Sequence, residues 1–276
     1  MTQKSILITG CSSGIGYDAA HTLQKRGWRV FATCRAEADC ERLRGEGLES
    51  FRLDYQDESS IDSAIAETLE RTGGTLDALF NNGAYAIPGA IEDLSRDALR
   101  DIFETNVFGQ IDLSNRLIPV MREQGHGRVI FNSSVLGFVS TPYRGSYCAT
   151  KFALEALVDA QRMEHKDSPL EFILIEPGPI TTDFGSNATK QFEKWVDRET
   201  TNRKDIYSAM LEKRKSSVGK KDFSELPPSG VTIKLIHALE SPRPKPRYYV
   251  TLVTHISGAL RRFLPTRLLD SILSRQ

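Results

Sequence analysis

Long apolar runs are missing from this 276-residue chain: none approaches the ~20 residues that a bilayer-spanning helix needs. The N-terminal run Ser5-Ile6-Leu7-Ile8-Thr9 is also too short for the apolar part of a signal peptide and its cleavage site. Cysteine is scarce. Cys11, Cys34, Cys40 and Cys148 form no C-x-x-C pair, which argues against a zinc site and predicts reduced thiols in a cytoplasmic protein. The histidines His21, His126, His165, His237 and His255 have no ligand-like spacing, so no metal site is expected. Charge of one sign is missing too. The formal net charge is zero, so no global field favours nucleic acid. No internal repeat or low-complexity linker interrupts the chain.

What is present is an alternation. Short continuous apolar runs lie at Ile6–Ile8, Val30–Ala32, Phe51–Leu53, Leu76–Phe80, Val129–Phe131, Phe172–Ile175 and Tyr248–Val250. Buried parallel strands read this way, because both of their faces are covered. Helical patterns fall at Gly14–Arg26, Ser59–Arg71, Asp97–Gln124 and Ser146–Lys166. The alternation predicts an α/β, doubly wound Rossmann-type fold, with about seven parallel strands and helices on both faces. One domain over residues 1–276 is expected. A polar, helix-prone excursion at about 185–228 would be a substrate lid, and an amphipathic segment at about 251–276 would cover the core or a subunit interface.

The first strand runs into Thr9-Gly10-Cys11-Ser12-Ser13-Gly14-Ile15-Gly16 and then a helix. Glycines allow a tight turn and close approach to a pyrophosphate, and the helix start offers free N–H groups to that anion. The turn is predicted to bind a dinucleotide through Gly10, Ser12, Ser13, Gly14, Ile15 and Gly16. The second strand ends in Thr33-Cys34-Arg35, where an NAD-binding protein usually carries an acid for the ribose 2′-hydroxyl. Arg35 suits a 2′-phosphate instead, so NADP(H) is expected. Asp54, at the end of the third strand, is a candidate for the adenine amino group, with a turn or cap role as the alternative.

Tyr147 and Lys151 are four apart on a predicted helix and share a face. Y-x-x-x-K alone is common; its meaning comes from its company. Ser133 and Ser134 close the fifth strand, and ligands of open α/β sheets sit at strand C-terminal ends. A free tyrosine has a pKa of about 10, too high for an efficient base near neutrality. A neighbouring ammonium would lower it. Asn106, a poor helix former inside a helical stretch, is expected to mark a local break with a bound water.

These residues resemble the short-chain dehydrogenase/reductase family over most of residues 4 to 185. The family's glycine motif looks like Thr9-Gly10 through Gly14-Ile15-Gly16, and its catalytic tetrad maps onto Asn106, Ser134, Tyr147 and Lys151. The thirteen-residue interval from Ser134 to Tyr147 selects Ser134 over Ser133. Pro177-Gly178-Pro179-Ile180-Thr181-Thr182 is similar to the family's P-G-x-x-x-T loop, which implies nicotinamide-side contacts from Pro177, Gly178, Ile180 and Thr182. Asn82 and Gly83 are implied as further cofactor contacts. The family's Asn-Asn-Ala-Gly reads Asn81-Asn82-Gly83-Ala84 here, which predicts backbone strain at Ala84 if the family's glycine needs a left-handed angle. More narrowly, Ala32-Thr33-Cys34-Arg35 and Glu176-Pro177-Gly178-Pro179-Ile180 are similar to a branch with 17-beta-hydroxysteroid and retinol dehydrogenases and bacterial NADP-dependent aldehyde reductases.

The resemblance implies an NADP(H)-dependent oxidoreductase acting on a lipophilic aldehyde, ketone or sterol-like alcohol, and a homodimer or homotetramer. Tyr147 would exchange the proton, Ser134 would hold the substrate oxygen, and Lys151 would bind the nicotinamide ribose and depress the Tyr147 pKa. Leu136, Tyr143, Tyr147 and Ser134 are the expected substrate contacts, with Val135 to Val139, Tyr85, Ile87 and Phe184 as further wall candidates. Lys190, Lys194, Arg198, Arg203, Lys204, Lys213, Arg214, Lys215, Lys220 and Lys221 crowd the predicted lid. They read first as solvated helix faces, second as a dock for an acidic carrier. The rival functions are a 3-oxoacyl-carrier reductase and a non-catalytic NADP(H)-binding sensor or scaffold. A sugar-nucleotide epimerase lacks the chain length for its usual extra domain.

Overall fold

The computed structural model describes residues 3–217 and 224–274. Seven strands form one parallel sheet: β1 (Ser5–Ile8), β2 (Arg29–Cys34), β3 (Glu49–Arg52), β4 (Ala78–Asn81), β5 (Gly127–Asn132), β6 (Leu170–Glu176) and β7 (Arg247–Tyr249). Their order is β3-β2-β1-β4-β5-β6-β7, so the winding reverses between β1 and β4. That reversal opens a crevice at the carboxyl ends of the strands. The helices are α1 (Gly14–Lys25), α2 (Glu37–Gly45), α3 (Glu58–Thr72), α4 (Arg96–Phe103), α5 (Gly109–Glu123), α6 (Gly145–Glu164), α7 (Phe184–Trp195), α8 (Lys204–Ser217), α9 (Ser229–Glu240), α10 (Leu252–Phe263) and α11 (Thr266–Leu273).

The period of two along each strand explains the double core. Ile6 and Ile8 of β1 join Ala78, Phe80 and Ile130 in one cluster, packed on Leu23 of α1 and Leu235 of α9. Leu7, between them, faces the other way and joins Phe31, Leu79, Val129 and Phe131 under Leu113 and Leu117 of α5 and Leu154 of α6. Both faces of every central strand are therefore dry, and each run is apolar throughout.

All seven predicted strands are present. Two helices were not predicted. In α2 only Cys40 and Leu43 are buried, too little periodicity to read. Helix α9 follows the polar excursion closely, beginning at Ser229. The predicted helix Asp97–Gln124 comes as three joined pieces: α4, a π-helical segment Glu104–Phe108, and α5. Asn106 lies inside the π segment, where the break was expected. The excursion holds α7 and α8; Lys220 and Lys221 lie outside the described residues. The C-terminal segment is two helices separated at Pro265, whose fixed φ starts the second one. Leu269 and Leu273 are buried against a third cluster with Leu136, Tyr147 and Tyr207. No helix among the described residues is long and apolar enough to cross a membrane.

The edge strand β7 is three residues long and is tied down by charge. Arg247 bonds Glu155 and Asp159 of α6 and Glu176 at the end of β6, the last pair with no solvent contact on the carboxylate side. Burial and the neighbouring Glu155 carboxylate push Glu176 well above the usual carboxylate range, against the pull of Arg247. Removing the guanidinium would strand these acids, so Arg247→Met should cost about 3–5 kcal/mol of unfolding free energy at pH 8. Unpartnered carboxylates bind protons more tightly folded than unfolded, so this loss grows as pH rises and shrinks toward pH 5. Urea unfolding of both proteins at the two pH values measures it; an equal loss at both would contradict the assignment.

Candidate active site

The turn after β1 is closed by its neighbours. Gly10 and Gly14 have φ of +68° and +59°, a region that side chains with a Cβ enter only under strain. A Cβ on Gly16 would strike the carbonyl of Gly10 and lie 2.7 Å from Asn82 Nδ2. Ser13 caps α1 with extended backbone, but its hydroxyl makes no capping bond, and the first turn carries no acid. Free N–H groups and the positive helix end therefore face the turn uncompensated, which fits a pyrophosphate. Ser12 is exposed, and Ile15 packs on the core below.

Asn82 has a different place from the one expected. Its Nδ2 donates to Thr9 O (2.9 Å) and Gly10 O (3.2 Å), and its Oδ1 accepts from Asn132 Nδ2 (2.9 Å). It braces the turn from behind, so its side chain has no free donor for a ligand. Gly83 N donates to Thr9 Oγ1 (3.1 Å), while Gly83 O accepts from Gln110 Nε2 (2.9 Å). Ala84 is not strained: among the described residues Tyr143 alone has a positive φ without being glycine. The shifted glycine therefore costs no left-handed backbone. Tyr55, which sequence reading passed over, lies under the turn and bonds Thr9 (2.7 Å) and Asn81 (2.9 Å).

Arg35 follows β2 and is exposed at the crevice, with no acidic partner among the described residues. Nearby, Arg42 Nη2 donates to Ser12 O (2.7 Å). Asp54 behaves as a turn residue: its Oδ1 accepts from Gln56 N (3.1 Å), and its other oxygen lies 3.5 Å from Arg52. The Pro177–Thr182 loop closes over the same turn. Pro177 O accepts from Val135 N (2.7 Å), and Thr182 Cγ2 lies 3.0 Å from where a Gly14 Cβ would stand. Gly178 leaves room for Thr251, the cap of α10, and Ile180 bridges to Leu226.

Ser134, Tyr147 and Lys151 come together beyond β5. Lys151 is 1% exposed, and its Nζ donates to Asn132 O (2.7 Å). Burial lowers its pKa to about 8. The Lys151 Nζ lies 5.7 Å from the Tyr147 ring centroid. Burial pushes the Tyr147 phenol well above its usual value, while a hydrogen bond with Ser134 and the charge of Arg144 pull it down. The net shift is upward, so the phenol is neutral near pH 7. Asn106 is buried and fully engaged: its Oδ1 accepts from Tyr85 N (3.1 Å), and its Nδ2 donates to Tyr85 O (2.8 Å) and Thr150 Oγ1 (3.2 Å). Its side chain pins the Tyr85 backbone.

A pocket of about 140 Å³ opens over Tyr147, walled by Ala86, Ile87, Pro88, Leu136, Phe184 and Ala188, with Arg144, Gly185 and Arg214 completing it. Leu136, Ile87 and Phe184 are where sequence reading put them. Tyr143 and Tyr85 are not in the wall. Tyr143 packs edge-on to Tyr207, and Tyr85 bonds Asp101. Arg214 is on α8, 67 residues beyond Tyr147, and no sequence signal separates it from the other basic residues there. The thiols are buried, Cys34 being held up to about 12, so none is a ready nucleophile. No metal-ligand cluster occurs among the described residues.

The site has the form of an oxidoreductase crevice, and comparison with known proteins agrees. The family model for short chain dehydrogenases matches residues 4–193, and the chain belongs to the short-chain dehydrogenase/reductase family. It is 40% identical to the uncharacterized oxidoreductase YbbO of Escherichia coli (strain K12), over 98% of this chain and 94% of that protein. It is 31% identical to 17-beta-hydroxysteroid dehydrogenase type 1 of Homo sapiens, over 96% of this chain and 80% of the relative. A crystal structure of a short-chain dehydrogenase from Streptomyces avermitilis superposes with a TM-score of 0.77 at 27% identity, covering 99% and 94% of the two chains. The chain is thus an oxidoreductase of a family that binds nicotinamide dinucleotides and small-molecule substrates.

Overpacking of this kind costs about 1–3 kcal/mol, and each 1.4 kcal/mol is tenfold in affinity. Gly16→Ala should therefore weaken dinucleotide binding roughly tenfold or more in a fluorescence titration. Gly45→Ala, in open space, should leave it unchanged.

Proposed function

We propose that the chain is an NADP(H)-dependent reductase or dehydrogenase of a carbonyl/alcohol pair with an apolar body, and that Tyr147 exchanges the proton. The observation that carries this is the buried Tyr147 phenol, under the influence of Ser134, on the floor of a pocket at the strand ends whose wall is mostly apolar. The dinucleotide supplies or accepts the hydride. Gly10, Ser12, Ser13, Gly14 and Gly16 would hold its pyrophosphate. Pro177, Gly178, Ile180 and Thr182 would hold its nicotinamide end, and Lys151 its ribose.

In the reducing direction the substrate oxygen lies between the Ser134 hydroxyl and the Tyr147 phenol. Ser134 orients that oxygen by a hydrogen bond. Tyr147 protonates it, and the raised pKa of the buried phenol keeps the proton available. Lys151, buried beside it, carries positive charge up to about pH 8 and favours the phenolate left after transfer. Asn106 fixes Tyr85 and Thr150 and so keeps the floor of the site rigid. Helices α7 and α8, carrying Phe184 and Arg214, act as the lid. The apolar wall excludes water from the reacting carbon and accords with the hydroxysteroid substrate named for the human relative.

Tyr147→Phe keeps the packing and removes the proton. It should lower kcat by about 10²–10⁴ while leaving dinucleotide affinity near wild type, measured by NADPH absorbance and by titration. A variant retaining most of its turnover would overturn the role.

The NADP(H) choice rests on Arg35 and on the lack of an acid at the end of β2. A charge-assisted bond to a phosphate is worth about 1.5–3 kcal/mol. Arg35→Ala should then raise the NADPH KM roughly ten- to a hundredfold and leave the NADH KM unchanged. Equal effects on both would remove the basis for the preference.

A further inference from the structure

We propose that Arg144 and Arg214 form an oxyanion-binding pair at the mouth of the pocket, so that the substrate carries a carboxylate or phosphate at the end remote from its reacting carbonyl. This rests on the reading of Tyr147 as the reacting end of the same pocket, and it narrows the substrate from a neutral lipophile to an amphipathic anion.

Both arginines line the cavity that Tyr147 floors. They reach it from unrelated parts of the fold. Arg144 is the N-cap of α6, three residues before Tyr147, and Arg214 is on α8. The Arg214 guanidinium lies against Gly185, in space that a Cβ at that position would occupy. A side chain at that position would displace the head group from where it stands. The two guanidinium groups are close enough to repel: the charge of Arg144 lowers the Arg214 pKa, on top of burial.

Neither has a carboxylate within ion-pair distance among the described residues, and neither donates a side-chain hydrogen bond there. Other arginines of this protein are treated differently. Arg247 meets three acids, Arg116 meets three, and Arg203 on the same excursion meets Glu92. Half-buried Arg128 has two carbonyls, Ala238 O at 2.6 Å and Ser241 O at 2.7 Å. Arg144 is exposed at the pocket mouth, but Arg214 is partly buried, and partly buried charges are normally paired or hydrogen-bonded, because desolvation without compensation is costly. Two like charges facing one apolar cavity are compensated by a ligand that brings the opposite charge.

Guanidinium forks match the geometry of carboxylate and phosphate oxygens. The wall between the forks and the phenol is Ile87, Pro88, Leu136 and Phe184, so the body of the ligand is apolar. α6 adds to the same potential: its N-cap residue is Arg144, no side chain caps it, and its first turn has no acid.

The test uses the full chain with NADPH and three aldehydes of similar size: 4-carboxybenzaldehyde, 4-formylphenyl phosphate and neutral 4-methylbenzaldehyde. Wild type should favour one of the anionic probes over the neutral one by roughly tenfold or more in kcat/KM, and which anion wins identifies the group. Arg214→Met and Arg144→Met should each raise the KM for that probe roughly ten- to a hundredfold more than the KM for the neutral probe, leaving the NADPH Kd unchanged. Arg214→Lys should restore part of the preference. Titration of the unreactive 4-methylbenzoate and phenyl phosphate into the NADP-saturated protein reads the pair without turnover. Binding that both Met variants abolish supports the pair even where no aldehyde is reduced, which separates its fate from that of the hydride-transfer reading. The proposal is overturned if wild type shows no anion preference and binds neither anion. It is overturned equally if the Met variants slow all probes alike or raise the NADPH Kd, which would place the arginines on the cofactor.

Discussion

One series of hydrogen bonds joins the dinucleotide turn to the proton-transfer helix. Asn82 Nδ2 holds Gly10 O, Asn132 Nδ2 holds Asn82 Oδ1, and Lys151 Nζ holds Asn132 O. The ends of β1, β4 and β5 and the face of α6 are thereby fixed to one another across the crevice. Every acceptor in the series is a backbone or amide oxygen with a stated donor, so displacing one member leaves a polar group without its partner. The geometry of the crevice is maintained by this series, and the core beneath it keeps the strands in register.

The electrostatics of the site follow from burial more than from pairing. Tyr147 is driven toward its neutral form and Lys151 partway toward its own, because both are buried, with Glu155 only partly offsetting that for Lys151. The same protein pairs charges at Arg247, where three acids meet one guanidinium. Arg144 and Arg214, which have no carboxylate partner among the described residues, line the pocket. That division is the usual signature of a place where ligand completes the balance.

Much of this was legible beforehand, for identifiable reasons. Strands buried on both faces show as unbroken apolar runs, and the glycines at Gly10, Gly14 and Gly16 are required by backbone geometry that no other residue supplies. Tyr147 and Lys151 are local in sequence, so helical spacing alone put them on one face. Other features depend on contacts between distant segments. Asn82 read as a ligand contact because nothing in its neighbourhood announces that Asn132, fifty residues on, takes its free oxygen. Ala84 looked strained because the glycine beside it was shifted, yet the backbone there is ordinary. Asn106 marked the π segment correctly, but the partner of its amide is Tyr85, which only the fold brings within reach. Arg214 was one of ten basic residues in the excursion until the structure turned it inward.

Helix α8 carries its own anchor. Tyr207 is fully buried, accepts from Ala90 N (2.9 Å), bonds Asp93, and packs its ring against Phe192 and Tyr143. Arg214 lies two turns further along the same helix, on the same side. The helix therefore cannot swing as a loose flap: lifting its first turn would pull a phenol out of a sealed socket. The Tyr207 ring thus fixes the start of α8, and with it the side of the helix that presents Arg214 to the pocket.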